Sequence, residues 1–410
     1  MRSLGLMIGL GLVLLTGGGA GAQAPTQPGL RIQIDPAPPV CLYPGQQARS
    51  DSNTAVVRIG GRALAFPSHW DPIGHTDRRV TDNRLAFSDR GTRVTIVNDR
   101  DPSVGKWIES VWQAPSGRLY GWYHAEAVAP CTADLRVPHI GALVSDDQGL
   151  TWRALGAVLR APPDQIDCHA ENGFMAGGYG DFSVVPDRAG AFFYIFFTSY
   201  VRDEAAQGIA VARYPVAERG HPRGTVAVWS GGAWRRAGEG VPTPLWRPEH
   251  GWHHRDADAF WGPSVHYNRD LRSFVMLLNH TRGGAADFRS DGIYAAINPD
   301  PAQPQHWRAP RRIIEQGFWY PQVVGLAAGD GDARAGSPAR FFMSGYSEWF
   351  ISFLEHATAS PRDWAAAPAD AVTLSIRELP GWPNPWARKV RRAGPSATSR
   401  QLAAICKFGD

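Results

Sequence analysis

The chain has 410 residues, of which 45 are Gly, 33 Pro and 16 Trp, with 43% hydrophobic residues and a formal net charge of +4. So many helix breakers exclude a coiled coil or helical solenoid, and so much apolar and aromatic content excludes a disordered chain. The clearest basic cluster, Arg388-Lys389-Val390-Arg391-Arg392, reads as a solvated face and makes no case for nucleic-acid binding.

From the N-terminus, Met1-Arg2-Ser3 precedes an apolar run from Leu4 to Leu15 and a small-residue stretch from Gly17 to Ala24. This reads as a signal peptide, with an apolar run too short to span a membrane. Cleavage after Ala22 is favoured over Ala24, which would leave Pro25 at the first mature position. A secreted or periplasmic protein is expected, without a membrane span. Residues 23–54 read as an N-terminal extension. Four cysteines, Cys41, Cys131, Cys168 and Cys406, suggest two disulfides in an exported chain. Of three connectivities, Cys131–Cys168 with Cys41–Cys406 is preferred. No C-x-x-C spacing suggests zinc.

Short apolar runs bounded by turns then follow in series. A first unit uses Val56–Ile59, Ala63–Phe66, Leu85–Phe87 and Val94–Val97. Later units open at Trp107–Trp112, Tyr179–Val185, Trp261–His266 and Trp319–Val324. Each leads into a nearly continuous apolar run, of which Phe192–Thr198 and Phe274–Asn279 are the clearest, and then into a third run. Continuous apolar strands are expected between packed sheets. Ser110, Ser183, Ser264 and Gln322 hold one slot at loose intervals. A loose repeat of four-stranded units is a propeller. The expected fold is all-β, a five-bladed β-propeller of four-stranded antiparallel blades over residues 55–370, with 371–410 a tail packing on it.

Ser145-Asp-Asp147-Gln-Gly149-Leu-Thr151-Trp152 matches S-x-D-x-G-x-T-W, the Asp-box. In it Gly149 permits positive φ, Asp147 accepts turn N–H groups and Trp152 packs between blades. Looser relatives are Asn298-Pro299-Asp300 with Trp307, and the stretch ending Asp363-Trp364.

With these strand-opening motifs and turns, residues 55–370 resemble the five-bladed propeller glycoside hydrolases of families 43, 32 and 68, the arabinanase, xylosidase and invertase group. The resemblance implies hydrolysis of glycosidic bonds, often of furanose sugars, by carboxylates at a funnel on the propeller axis. In that group acids open successive inner strands. Here Glu109 and Asp181 hold that place in two blades, and Pro263 and Pro321 in the next two. Asp258 is a nearby acid of the fourth unit, and Asp71, in Asp71-Pro72, resembles the first-blade base motif.

Glycoside hydrolysis needs two carboxyl groups of different acidity. Asp181 follows Gly178-Tyr179-Gly180 and opens a strand; it is either a site acid or an aspartate satisfying turn amides. Glu109, between Trp107 and Trp112, is either an acid raised by desolvation or a salt-bridge partner of an Arg or Lys. Asp258 and Asp71 complete the candidate catalytic set. Glu126, which either faces the same funnel from the second strand of its blade or lies on a surface strand, and Glu348, either a site acid or a surface-strand residue, are both read as surface-strand residues. Trp70, Trp261 and Trp319 stand near strand starts as candidate sugar platforms, with core packing as the alternative. Glu171 and Asn172, in a Gly-rich loop leading to Asp181, are candidate substrate contacts. No metal site and no cofactor are expected, calcium being the one metal considered. The expected partner is carbohydrate, for a monomer. A sialidase-like enzyme and a non-catalytic glycan- or protein-binding propeller are the alternatives.

Overall fold

The computed structural model describes residues 30–42, 50–70, 73–81, 85, 91–282, 290–315, 317–355 and 372–376. The expected signal peptide, Cys406 and most of the 371–410 tail lie outside them. Among the described residues no helix is long and apolar enough to cross a membrane.

Five sheets form the five blades. The third is the simplest. Tyr179–Pro186, Phe192–Ser199, Gly208–Pro215, Ala227–Ser230 and Ala233–Arg236 follow one another as an antiparallel meander. Phe193 to Phe197 are fully buried or nearly so. They face a neighbouring blade on each side, which is why that run lacks the polar alternation of a half-exposed strand.

The second blade pairs Lys106–Gln113, Leu119–Ala129, Thr132–Ser145 and Thr151–Leu159. Thr95–Val97 adds to its outer edge in parallel, opposite Thr151–Arg153. That run was expected in the first unit. The first blade instead uses Gly74–Thr81, between Arg62–Phe66 and Ser68–Trp70. Gly74–Thr81 carries His, Asp and Arg residues, so no apolar pattern marks it as a strand.

The fifth blade closes the ring with chain from the N-terminus. Leu30–Cys41 pairs antiparallel with Tyr346–Glu355, and Val372–Ile376 adds in parallel to Leu30–Ile34. Thus part of the stretch read as an extension is a blade strand. Apolar clusters fill each described junction between neighbouring blades, such as Trp122, Phe182 and Phe193 between the second and third.

The recurring polar slot also has a structural reason. Ser110 Oγ accepts the Val184 N–H at 2.9 Å, and Ser183 Oγ accepts the Val265 N–H at 3.0 Å. Gln322 Oε1 accepts the Thr54 N–H at 3.1 Å, and Thr76 Oγ1 accepts the Ile108 N–H at 2.9 Å. Inner strands of neighbouring blades run too far apart for a full ladder. A side chain therefore satisfies the buried N–H of the next blade.

The turn after the second blade's third strand is closed as its residues suggest. Asp147 Oδ1 accepts the Leu150 and Thr151 N–H groups, and Ser145 Oγ accepts that of Gly149, at φ +85°. Trp152 is fully buried, edge-on to Phe66 of the first blade at 5.8 Å. Asn298 and Asp300 cap a comparable turn, and Trp307 stands edge-on to Phe196 at 5.4 Å.

Candidate active site

On the axis, where inner strands begin, lies a cavity of about 300 Å³. Two bulges aim side chains toward it. In the second blade Ile108 pairs with Tyr123 and Ser110 with Trp122, so Glu109 is the extra residue. In the third, Gly180 pairs with Thr198 and Phe182 with Phe197, leaving Asp181 extra. A bulge re-aims the side chain it expels from the ladder. Asp181 takes φ +41°, an uncommon conformation for a non-glycine residue. Before it, a Cβ at Gly180 would come within 2.9 Å of the His124 ring.

Asp181 lines the cavity and is held from two blades. Tyr320 Oη donates to its Oδ1 at 3.0 Å, and Tyr200 Oη donates to its Oδ2. Burial and the Asp181 charge push both phenols well above their ordinary range, so they stay protonated donors. Trp107, Trp261 and Trp319 form walls, with Trp261 edge-on to Trp319 at 5.8 Å.

Glu109 sits one layer deeper. It is fully buried and does not line the cavity. His124 Nδ1 lies 3.0 Å from its Oε1, and its Oε2 accepts the Phe182 N–H at 2.9 Å. Burial raises its pKa to about 7 against these bonds. His124 is raised to about 9, because Glu109, Glu126 and Asp181 together outweigh the burial that opposes its charge. The partner of Glu109 is therefore neither Arg nor Lys. His124 Nε2 faces Glu126 Oε1 at 3.5 Å.

Glu126 was expected on a surface strand, yet it lines the cavity. Desolvation and then the Asp181 charge raise its pKa, although the His124 charge opposes them. Asp51 also lines the cavity, at the edge of the supposed extension. No motif announced Asp51. Tyr320 was passed over as a strand-opening aromatic.

Other expectations are corrected. Asp258 opens the fourth blade's first strand away from the cavity, with His280 and Arg282 each 3.0 Å from its oxygens. An aspartate paired with a guanidinium and an imidazole is a structural anchor. Glu171 is exposed and pairs with Arg255 at 3.4 Å. Asn172 spends its amide on backbone groups of its own loop and of Trp252: it donates to the carbonyls of Met175 and Trp252 and accepts from Phe174 and Met175. Its role is to shape the loop that brings Phe174 to the cavity wall. Trp107, not among the candidate sugar platforms, is also a wall residue. Asp71 lies outside the described residues, as does the Trp70 side chain. The Cys131–Cys168 disulfide is present and pins the start of that loop; Cys406, and with it the second expected pairing, lies outside the described residues.

Donor atoms of Glu109, His124 and Asp181 all lie within 4.8 Å of one another. This set does not fit calcium, which takes six to eight oxygens. One donor is nitrogen, and each carboxylate already accepts two hydrogen bonds.

The chain matches no protein-family model and no curated protein. It is similar to several solved propellers. An arabinanase from Bacillus subtilis is 12% identical over 75% of this chain and 96% of its own, with a TM-score of 0.44. A thermostable family-43 glycoside hydrolase is 12% identical over 78% and 93%, with a TM-score of 0.47. The catalytic domain of an α-L-arabinofuranosidase from Coprinopsis cinerea is 11% identical over 81% and 98%, with a TM-score of 0.45.

Proposed function

We propose that the protein is a secreted glycoside hydrolase that binds a poly- or oligosaccharide in the axial funnel. Asp181 serves as base or nucleophile at the anomeric carbon, and Glu126 protonates the departing glycosidic oxygen. The observation that carries this reading is the Asp181 carboxylate, fixed by two phenols from different blades at the floor of a tryptophan-walled cavity. Rigidly held carboxylates beside aromatic platforms suit a sugar ring and its developing positive charge. Glu126 supports the pairing, since burial raises its carboxyl toward the protonated form that a general acid needs. Glu109 does not reach substrate in this scheme. It orients and charges His124, whose other nitrogen faces Glu126.

A furanoside substrate and an Asp-box role for the Ser145–Trp152 turn belong to the same reading. The disulfide supports export to an oxidising compartment. A sialidase-like enzyme is disfavoured: Arg136 is the one arginine among the described lining residues, where a substrate carboxylate calls for a cluster. A merely binding propeller, which predicts axial acids dispersed or paired with Arg, is disfavoured because the Asp181 carboxylate accepts from two phenols and pairs with no Arg among the described residues. Hydrolysis of arabinan, xylan, fructan and sialoside substrates, with Asp181→Asn as control, tests the proposal. Release of sugar by the wild type and a far slower release by the variant are expected. Equal release by both removes Asp181 from the mechanism.

A further inference from the structure

The second blade carries another cavity, of about 480 Å³. Tyr123 lines it, whereas the next residue, His124, lines the funnel. Successive strand residues point to opposite faces, so the two cavities flank one blade at the same level. Four cations, Arg100, Lys106, Arg160 and Arg223, face two acids, Asp99 and Asp101. Lys106 is spent on Asp99 at 2.7 Å, and Asp101 accepts the Ser103 hydroxyl at 2.9 Å. Arg100, Arg160 and Arg223 are exposed, and none forms an ion pair or hydrogen bond with another described residue.

A second observation is independent of these charges. His139 is 8% exposed and lines the cavity, and its Nδ1 has no hydrogen-bond partner. A buried polar atom without a partner costs about 1–3 kcal/mol, a cost that a ligand group can relieve. Burial, then the charges of Arg160, His124 and Lys106, pushes the His139 pKa down to about 3. Gly156, at φ +94°, lies against the Arg223 side chain; a Cβ there would meet the Arg223 Cδ at 3.2 Å.

We propose that this cavity is an accessory site for an oxyanion group, carboxylate or sulfate, borne by a sugar chain. Guanidinium forks match the planar or tetrahedral oxygens of such groups. That the group rides on a sugar rests on the reading of the funnel as a glycan site. The oxyanion chemistry does not.

Calorimetric titration of the full chain tests the site. The probes are an oligogalacturonide, a sulfated oligosaccharide, a neutral arabino-oligosaccharide and inorganic sulfate. Binding of either acidic oligosaccharide is expected to weaken at least about tenfold in Arg160→Gln/Arg223→Gln, and to weaken with salt in the wild type. Binding of the neutral probe is expected not to change. Unchanged acidic-probe binding by the double variant overturns the site. Binding of inorganic sulfate without either acidic oligosaccharide overturns the sugar-borne ligand. Acidic-probe binding that needs the arginines, in a protein that hydrolyses nothing, keeps the site and overturns only the funnel's enzymatic reading.

Discussion

Glu109 and His124 face each other at 3.0 Å on neighbouring strands of the second blade, with the carboxylate wholly shut off from solvent. A buried pair of this kind costs more to break than to keep. It also ties the bulge of the second blade to that of the third, because Glu109 takes the Phe182 N–H next to Asp181. One side chain thereby locates both the proton-bearing imidazole and the floor of the funnel.

The pair gives a pH signature. Both folded-state values lie above the unfolded ones: Glu109 rises from 4.5 to about 7 and His124 from 6.5 to about 9. The folded protein therefore holds more protons than the unfolded chain between these limits. The pair's contribution is fully present at low pH and is lost as the pH rises through about 9. Denaturant unfolding at pH 6.5 and pH 9 is expected to show lower stability at pH 9. Glu109→Gln is expected to make that decline shallower, and Glu109→Ala to cost about 3–5 kcal/mol. An equally steep decline in Glu109→Gln contradicts the assignment.

Asp181→Asn is expected to lower kcat on any hydrolysed substrate on the order of 10²–10⁴-fold while leaving the fold intact. Tyr320→Phe removes one of the two donors to the same carboxylate. Loss of a hydrogen bond to a charged group, about 1.5–3 kcal/mol, corresponds to roughly 10- to 100-fold in kcat. Steady-state kinetics of both variants decide the matter. A Tyr320→Phe enzyme as active as the wild type argues against the positioning role.

Glu126→Gln removes the proton donor. The loss is expected to be large on alkyl glycosides and small on aryl glycosides whose leaving phenol needs no proton. The alkaline limb of the kcat/KM profile is also expected to move. A uniform loss across leaving groups, with an unchanged profile, would assign Glu126 to binding instead.

Cys131→Ser/Cys168→Ser opens a bridge of sequence separation 37. The chain-entropy cost is about 3–4 kcal/mol. Because the released loop carries Phe174 to the funnel wall, KM is expected to rise more than kcat falls. Chemical denaturation and kinetics of the oxidised and reduced protein provide the check; identical KM values would show that the loop holds its place without the bridge.

Much of the architecture was readable from the chain itself. Strand runs such as Phe192–Ser199 are apolar throughout because they lie between two packed sheets, and burial leaves that mark directly in residue type. Ser110, Ser183 and Gln322 recur in one slot because their blade junctions repeat the same unsatisfied N–H. Ser145-to-Trp152 encodes its own turn. Such signals are local, or repeat locally, and need no knowledge of distant partners. Asp181 was legible on the same grounds, as an acid opening an inner strand after glycines.

Tertiary structure alone decided the rest. Leu30–Cys41 belongs to the fifth blade because closing a ring requires a strand from the far end of the chain, and no local pattern records that partner. Glu109 and Asp181 look alike as strand-opening acids, yet one is sealed behind His124 and the other faces the funnel. Asp258, equally acidic in sequence, is held by His280 and Arg282. Glu126, Asp51 and Tyr320 reach the funnel from three blades. Which side chains share a cavity depends on bulge positions and on the packing of blades distant in sequence. A carboxylate's acidity then depends on what surrounds it there.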